Sequence, residues 1–256
     1  MTDRALPLAG RRAVISGASR GIGRAMAIAF AECGADVALV SRNPETLQEV
    51  GEAVAAAGRT ALVIPCDVTA EDAPGTIAER VATGLGGLDI LVNNAGGNSF
   101  MADLATMRLS GWRKTMDLNL DSAVRITQAL LPMLVASGNG SIINVSSVAG
   151  LRSAPMMSHY AAAKAAMLSL TRSLACELAT SGVRVNALVP GWIDTDLTDF
   201  LRSDEGIEST LLNDVPMRRW GRADEMAEGA VFLASDASSF MTGQSLILDG
   251  GLSSRP

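Results

Sequence analysis

Arg12-Ala-Val-Ile-Ser16 runs into Gly17-Ala18-Ser19-Arg20-Gly21-Ile22-Gly23 and then into an Ala-rich stretch that ends at Cys33. A short β-branched run, a turn carrying three glycines and a helix-forming stretch read as strand, tight turn and helix. Glycines at 17, 21 and 23 let the backbone turn sharply and approach a pyrophosphate, which the helix N-terminus behind them favours electrostatically. The spacing is Gly-xxx-Gly-x-Gly rather than the commoner Gly-x-Gly-x-x-Gly, and a glycine-rich turn without a ligand is the plain alternative.

The same unit recurs along the chain. Residues 36–41, 60–65, 88–93, 141–146 and 183–189 are further apolar runs, and 246–248 is a last one. They are nearly apolar throughout rather than alternating, as strands buried on both faces of a parallel sheet must be. Helical stretches lie between them at 23–33, 45–57, 73–85, 111–135, 158–180 and 223–234, which gives βαβ units with right-handed crossovers. No Pro/Ser/Gly linker divides the chain, so 1–256 reads as one domain. The stretch 191–221 shows neither a clear strand nor a helix, and we read it as a lid.

At 256 residues and 48% apolar content the chain can bury a full core without disulfides or metal. The net charge of −6 argues against nonspecific nucleic-acid binding and gives no reason to expect an anionic membrane surface as partner. Cys33, Cys66 and Cys176 are scattered, without metal-ligand or disulfide spacing. Arg4, Pro7, Gly10 and Arg11 interrupt the start, and no apolar run is long enough to span a membrane. These features set the expectation of a soluble, cytoplasmic protein.

Gly17-Ala18-Ser19-Arg20-Gly21 also reads as Gly-x-Ser-x-Gly, the nucleophile elbow of an α/β-hydrolase. A hydrolase triad needs a histidine after the late strands, and the single histidine, His159, precedes two of them. A dinucleotide fold that prefers NAD(H) places an acid at the end of its second strand to hold the adenosine ribose. Here that strand ends in Ser41-Arg42, and Asp36 stands at its opposite end. Arg42, with Arg20 in the glycine turn, can instead clamp a 2′-phosphate, which favours NADP(H).

Tyr160-Ala-Ala-Ala-Lys164 places a phenol and an ammonium on one helix face. Tyr160 is the chain's only tyrosine. An adjacent cation favours the phenolate, so the spacing predicts a lowered phenol pKa, as proton exchange with an alcohol or carbonyl requires.

Gly17-xxx-Gly21-x-Gly23, Asn93-Asn94-Ala95-Gly96, Asn119, Ser146-Ser147, Tyr160-xxx-Lys164 and Pro190-Gly191 follow one another in the order and spacing of the short-chain dehydrogenase/reductase family. The chain resembles that family from end to end. The resemblance implies a Rossmann-like doubly wound sheet of seven parallel strands in the order 3-2-1-4-5-6-7. It implies that Tyr160 is the acid–base catalyst, that Ser147 rather than Ser146 binds the substrate oxygen, and that Lys164 lowers the Tyr160 pKa and holds the nicotinamide ribose. Asn119 resembles the residue that kinks its helix and holds a relay water. Gly17, Ser19, Arg20, Gly21, Ile22, Gly23 and Arg42 would meet the cofactor's phosphates. Asp67 and Val68 would meet the adenine, Asn94, Ala95 and Gly96 would pass under the adenosine ribose, and Pro190, Gly191, Ile193 and Thr195 would meet the nicotinamide.

His159 is expected to be a partly exposed neighbour of Tyr160. Met156, Met157, Trp192, Leu197, Phe200 and Leu201 are expected to cluster at the pocket mouth. The resemblance further implies a homotetramer built on helices 111–135 and 158–180 and on the C-terminal strand. The function expected is NADP(H)-dependent hydride transfer to or from a small ketone or secondary alcohol. A 3-oxoacyl-carrier-protein reductase is the alternative, weakened because 133–140 has no basic residue and 175–181 has only an acid. A non-catalytic NADP(H) sensor would be expected to lose Tyr160 or Lys164, and both stand.

Overall fold

A computed structural model describes residues 6–196 and 198–255. The strands are β1 (Arg12–Ser16), β2 (Asp36–Ser41), β3 (Ala61–Pro65), β4 (Ile90–Asn93), β5 (Gly140–Val145), β6 (Val183–Pro190) and β7 (Ser245–Leu248). All neighbours pair in parallel, in the order β3-β2-β1-β4-β5-β6-β7.

The apolar strand runs split by residue parity between two cores, as the two-residue side-chain period dictates. Ala13, Ile15, Val37, Leu39, Ile90 and Val92 share one core with Met26 and Phe30 of α1 (Gly21–Glu32). The same core takes Leu47 and Val50 of α2 (Pro44–Ala56). Val14, Ala38, Val40, Leu91 and Ile142 fill the other, against Ile77 and Val81 of α3 (Ala73–Leu85). The sequence reverses direction between β1 and β4, so a crevice opens at their carboxyl ends, the usual ligand position in such sheets.

Two elements differ in detail from the sequence reading, the first of them at Asn119, where the family resemblance implied a kink. The helix expected over 111–135 is two helices, α4 (Leu109–Met116) and α5 (Ser122–Ala136), joined through a π-helical turn at Asp117–Asp121. Asn119 sits in that turn and sends its amide N–H back to the Thr115 carbonyl at 3.0 Å. The 191–221 segment is not irregular. It holds α7 (Asp199–Arg202) and α8 (Glu205–Asp214), the latter capped by Asp204, whose Oδ1 accepts from the N–H groups of Gly206 and Ile207. The last long helices are α6 (Ser158–Leu178), on the β6 side, and α9 (Ala223–Ala234), packed on α1.

Candidate active site

The glycine turn is built around Ser16 and Asn94. The Ser16 hydroxyl donates to the Val92 carbonyl at 3.2 Å and accepts from the N–H groups of Asn94 and Ala95, both at 3.0 Å. The Asn94 amide donates back to the carbonyls of Ser16 and Gly17. A methyl group on Gly23 would lie 2.1 Å from the Gly17 carbonyl oxygen, so only glycine fits there. No side chain caps the N-terminus of α1, which leaves its first N–H groups facing the crevice for an anion.

One cleft at the strand ends brings the sequence-derived residues together. Gly17, Ser19, Arg20, Gly21, Ile22, Gly23 and Arg42 line it with Asp67, Val68, Asn94, Ala95 and Gly96. Ser147, Tyr160, Lys164, Pro190, Gly191, Ile193 and Thr195 line it as well. Asn119 alone is set behind the wall. Sequence reasoning missed Ser41, Asp196 and Thr198, which also line the cleft. Ser41 ends β2, and its hydroxyl lies 2.8 Å from that of Ser19. Ser19 therefore has a hydroxyl for a partner and no base, so the nucleophile-elbow reading fails on geometry.

Asp67 is held below the usual carboxylate range, first by the N–H and hydroxyl of Thr69, with a smaller contribution from the Arg42 charge. No carboxylate ends β2. A ribose with a free 2′-hydroxyl would find no acid there, whereas a 2′-phosphate would find two arginines and two serine hydroxyls.

At the other end of the cleft β5 and α6 are stitched together twice. Lys164 Nζ donates to the Val145 carbonyl at 2.9 Å, and the buried Ser146 hydroxyl donates to the Lys164 carbonyl at 2.8 Å. Ser146 is thus committed to the backbone. Ser147 accepts from the Ala149 N–H at 3.2 Å and lies near enough to the Tyr160 phenol to influence its titration. Lys164 is 3% exposed, and burial pushes its ammonium down to about 8. Of its three donors one is spent on Val145, which leaves two for hydroxyl groups.

The phenol departs from expectation. Burial pushes the Tyr160 hydroxyl above its ordinary value, and the nearby Ser147 hydroxyl opposes this. Lys164 Nζ lies 5.6 Å from the phenol ring centroid. At that range burial outweighs the ammonium, and the lowering expected from the i, i+4 spacing is not found.

Asn119 is 1% exposed, and its side chain is fully engaged: Oδ1 accepts from the Gly97 N–H at 2.9 Å, and Nδ2 donates to the Gly97 carbonyl at 2.9 Å. A methyl group on Gly96 would lie 2.7 Å from Asn119 Oδ1 and 3.1 Å from Lys164 Nζ. Gly96 therefore passes between them as a bare backbone that a ligand can approach.

The apolar residues expected at the pocket mouth are not part of this cleft's lining. Met156, Met157, Trp192 and Leu201 do not line the cleft, and Trp192 meets Trp220 edge-on at 6.2 Å. Leu197 and the side chain of Phe200 lie outside the described residues. His159, expected to be partly exposed, is 0% exposed. The loop after β4 covers it, a contact too distant in sequence to read from its neighbours.

A family model described as enoyl-(acyl carrier protein) reductase matches residues 17–253. The chain is 40% identical over 241 residues to the cis-4-hydroxycyclohexanecarboxylate dehydrogenase of Sinomonas cyclohexanicum, covering 94% of this chain and 96% of that one. It is 39% identical over 246 residues to the 3-oxoacyl-(acyl-carrier-protein) reductase of Thermotoga maritima, covering 96% and 98%. The crystal structure of a gluconate 5-dehydrogenase from Burkholderia cenocepacia J2315, in complex with NADP and tartrate, superposes with a TM-score of 0.93 at 36% identity, covering 98% of each chain.

Proposed function

This chain belongs to the short-chain dehydrogenase/reductase family, and from that premise we propose that it is an NADP(H)-dependent oxidoreductase acting on a small ketone or secondary alcohol. The observation that carries the reading is the convergence of Ser147, Tyr160 and the half-free Lys164 ammonium on one cleft. The cleft fits the cofactor: the bare glycine turn, the uncapped start of α1 and the gap at Gly96 are shapes that a dinucleotide fills. Hydride exchange with the substrate carbon is the chemistry that a bound nicotinamide supplies.

Everything else falls to the chain's own side chains. Ser147 and Tyr160 hold the substrate oxygen. The Tyr160 phenol gives up its proton to a carbonyl oxygen as it becomes an alkoxide, or receives it from an alcohol. A phenol held above its ordinary value keeps that proton at neutral pH, which suits reduction. Lys164 is placed to hold ribose hydroxyls and to return the proton. Asn119 acts through its backbone carbonyl and a water, because its amide is committed to Gly97. Arg20 and Arg42 select NADP(H), and the 191–221 segment closes over the cleft as a lid.

The carrier-protein reductase is the second reading, favoured by the Thermotoga maritima relative. Stretches 133–140 and 175–181 contain no basic residue with which to receive an acidic carrier, so we favour a free substrate. We also read the chain as a homotetramer: Leu109 of α4, Val135 of α5, and Phe232, Phe240 and Ile247 near the last strand are apolar and exposed. Following NADPH absorbance across a panel of free and carrier-linked ketones, with Tyr160→Phe as the blank, tests the proposal. No Tyr160-dependent oxidation of NADPH on any ketone would refute it.

A further inference from the structure

His159 is a buried titratable side chain next to Tyr160 that this mechanism leaves without a task. Its imidazole is wholly buried, and Nε2–H donates to Asn98 Oδ1 at 3.0 Å. The ring stacks on Phe100 with centroids 4.1 Å apart and planes at 16°. Phe100 in turn lies against Gly111 of α4, where a methyl group would come within 2.9 Å of its Cζ. A further link joins the Ala102 N–H to the carbonyl of Met156 at 2.9 Å, just before α6. At the other end Asn119 grips Gly97 through both backbone groups.

The segment 97–102 is thus fixed at its ends by backbone and amide contacts and in its middle by His159. That segment leaves the cleft at Gly97, which lines it together with Ser147 and Tyr160. His159 precedes Tyr160 by one residue, so on a helix the two side chains point about 100° apart. Tyr160 can face the cleft while His159 reaches into the loop. Burial keeps the imidazole below its ordinary value, opposed by the Phe100 backbone. The neutral ring, which stacks and donates one hydrogen bond, is therefore the form present at neutral pH.

We propose that His159 is a positioning residue that docks the 97–102 segment, through Asn98 and Phe100, onto the start of α6 and so fixes the substrate-side wall next to Tyr160. The inference rests on the oxidoreductase reading only in giving that wall a substrate to hold.

Two readouts on His159→Leu test it. Hydrogen exchange of the 97–102 amides, measured without ligand, should quicken by roughly tenfold while the 165–175 amides stay protected, because local opening no longer costs the docking contacts. Steady-state kinetics should show KM for the carbonyl or alcohol rising roughly five- to tenfold, with kcat and the NADPH Kd held within about twofold, as loss of one anchoring contact predicts. His159→Gln, which keeps an N–H donor for Asn98, should recover part of both losses. Unchanged exchange at 97–102 in a folded His159→Leu protein would overturn the proposal. So would a parallel shift of KM, kcat and NADPH Kd, the mark of a general packing defect. If His159→Leu does not fold, Phe100→Leu leaves α6 untouched and decides the matter by the same readouts. Absence of turnover in the wild type would count against the oxidoreductase reading alone, because the exchange measurement needs neither substrate nor cofactor.

Discussion

Arg20 Nη1 lies 3.7 Å from Asp196 Oδ2, so an ion pair joins the glycine turn to the 191–221 segment across the cleft. Thr195 supports the same junction, since a methyl group on Gly21 would lie 3.3 Å from its Cγ2. Both charged side chains remain more than half exposed, so the pair is worth little by itself. Its importance is competitive, because the guanidinium that we assign to the 2′-phosphate already has a carboxylate neighbour.

Cofactor choice follows from that arrangement. Two charge-assisted hydrogen bonds at an exposed site should give roughly 10²-fold preference for NADP(H), after screening by salt. The double change Arg20→Ala with Arg42→Asp removes both cations and supplies the missing acid, so the preference should invert. Asp196→Asn frees Arg20 and should raise NADPH affinity about two- to threefold at low salt. Michaelis constants for both cofactors check all three statements, and equal use of NADH and NADPH by the wild type would sink the assignment.

The two adjacent serines should part company. Ser147→Ala removes the hydroxyl that shares the cleft with the Tyr160 phenol and should cut kcat by about 10²-fold or more. Ser146→Ala removes the buried tie to the Lys164 carbonyl and should cost about 1–3 kcal/mol of stability with a far smaller change in kcat. Urea melts alongside turnover separate the two effects, and a reversed pattern would reassign the substrate-binding hydroxyl.

The sheet was legible because parallel strands buried on both faces cannot avoid apolar runs, and the cleft because glycine spacing records backbone contact. Ser41 was passed over because a serine in a strand gives no signal apart from its partner, Ser19. The irregularity at Asn119 was implied only by the family resemblance, since no glycine or proline marks the π-turn at Asp117–Asp121, where Asn119 is tied to Gly97. The burial of His159 was hidden because Asn98 and Phe100 reach it from a distant loop. Local periodicity records which face of an element is apolar. It does not record what will be laid over a polar one.

Closure of the 191–221 segment should be visible directly. α8 has no buried residue, so it should exchange quickly in the ligand-free protein. With NADP(H) and product bound, protection of 195–214 should rise as the segment packs down. Equal exchange with and without ligands would mean that the segment is a fixed wall.

Lys164 offers a test that needs no substrate. Its folded-state value of about 8 lies below the ordinary 10.5 because burial disfavours the charge. Below pH 8 the lysine is protonated in both states, and the burial penalty is felt in full. Between pH 8 and 10.5 the unfolded chain binds more protons than the folded one, so this group makes stability rise with pH. Above that window both states are neutral and the gain stops. The gap corresponds to about 3 kcal/mol at most, of which about 2 kcal/mol should be gained by pH 10. Tyr160 works in the opposite direction at the top of the range, since its folded value is raised, and comparison with Lys164→Met cancels that contribution. Urea unfolding of cofactor-free wild type and Lys164→Met at several pH values from 7.5 to 10 reads the difference. The wild type should gain on the variant as pH rises, and parallel curves would show that Lys164 carries no burial penalty.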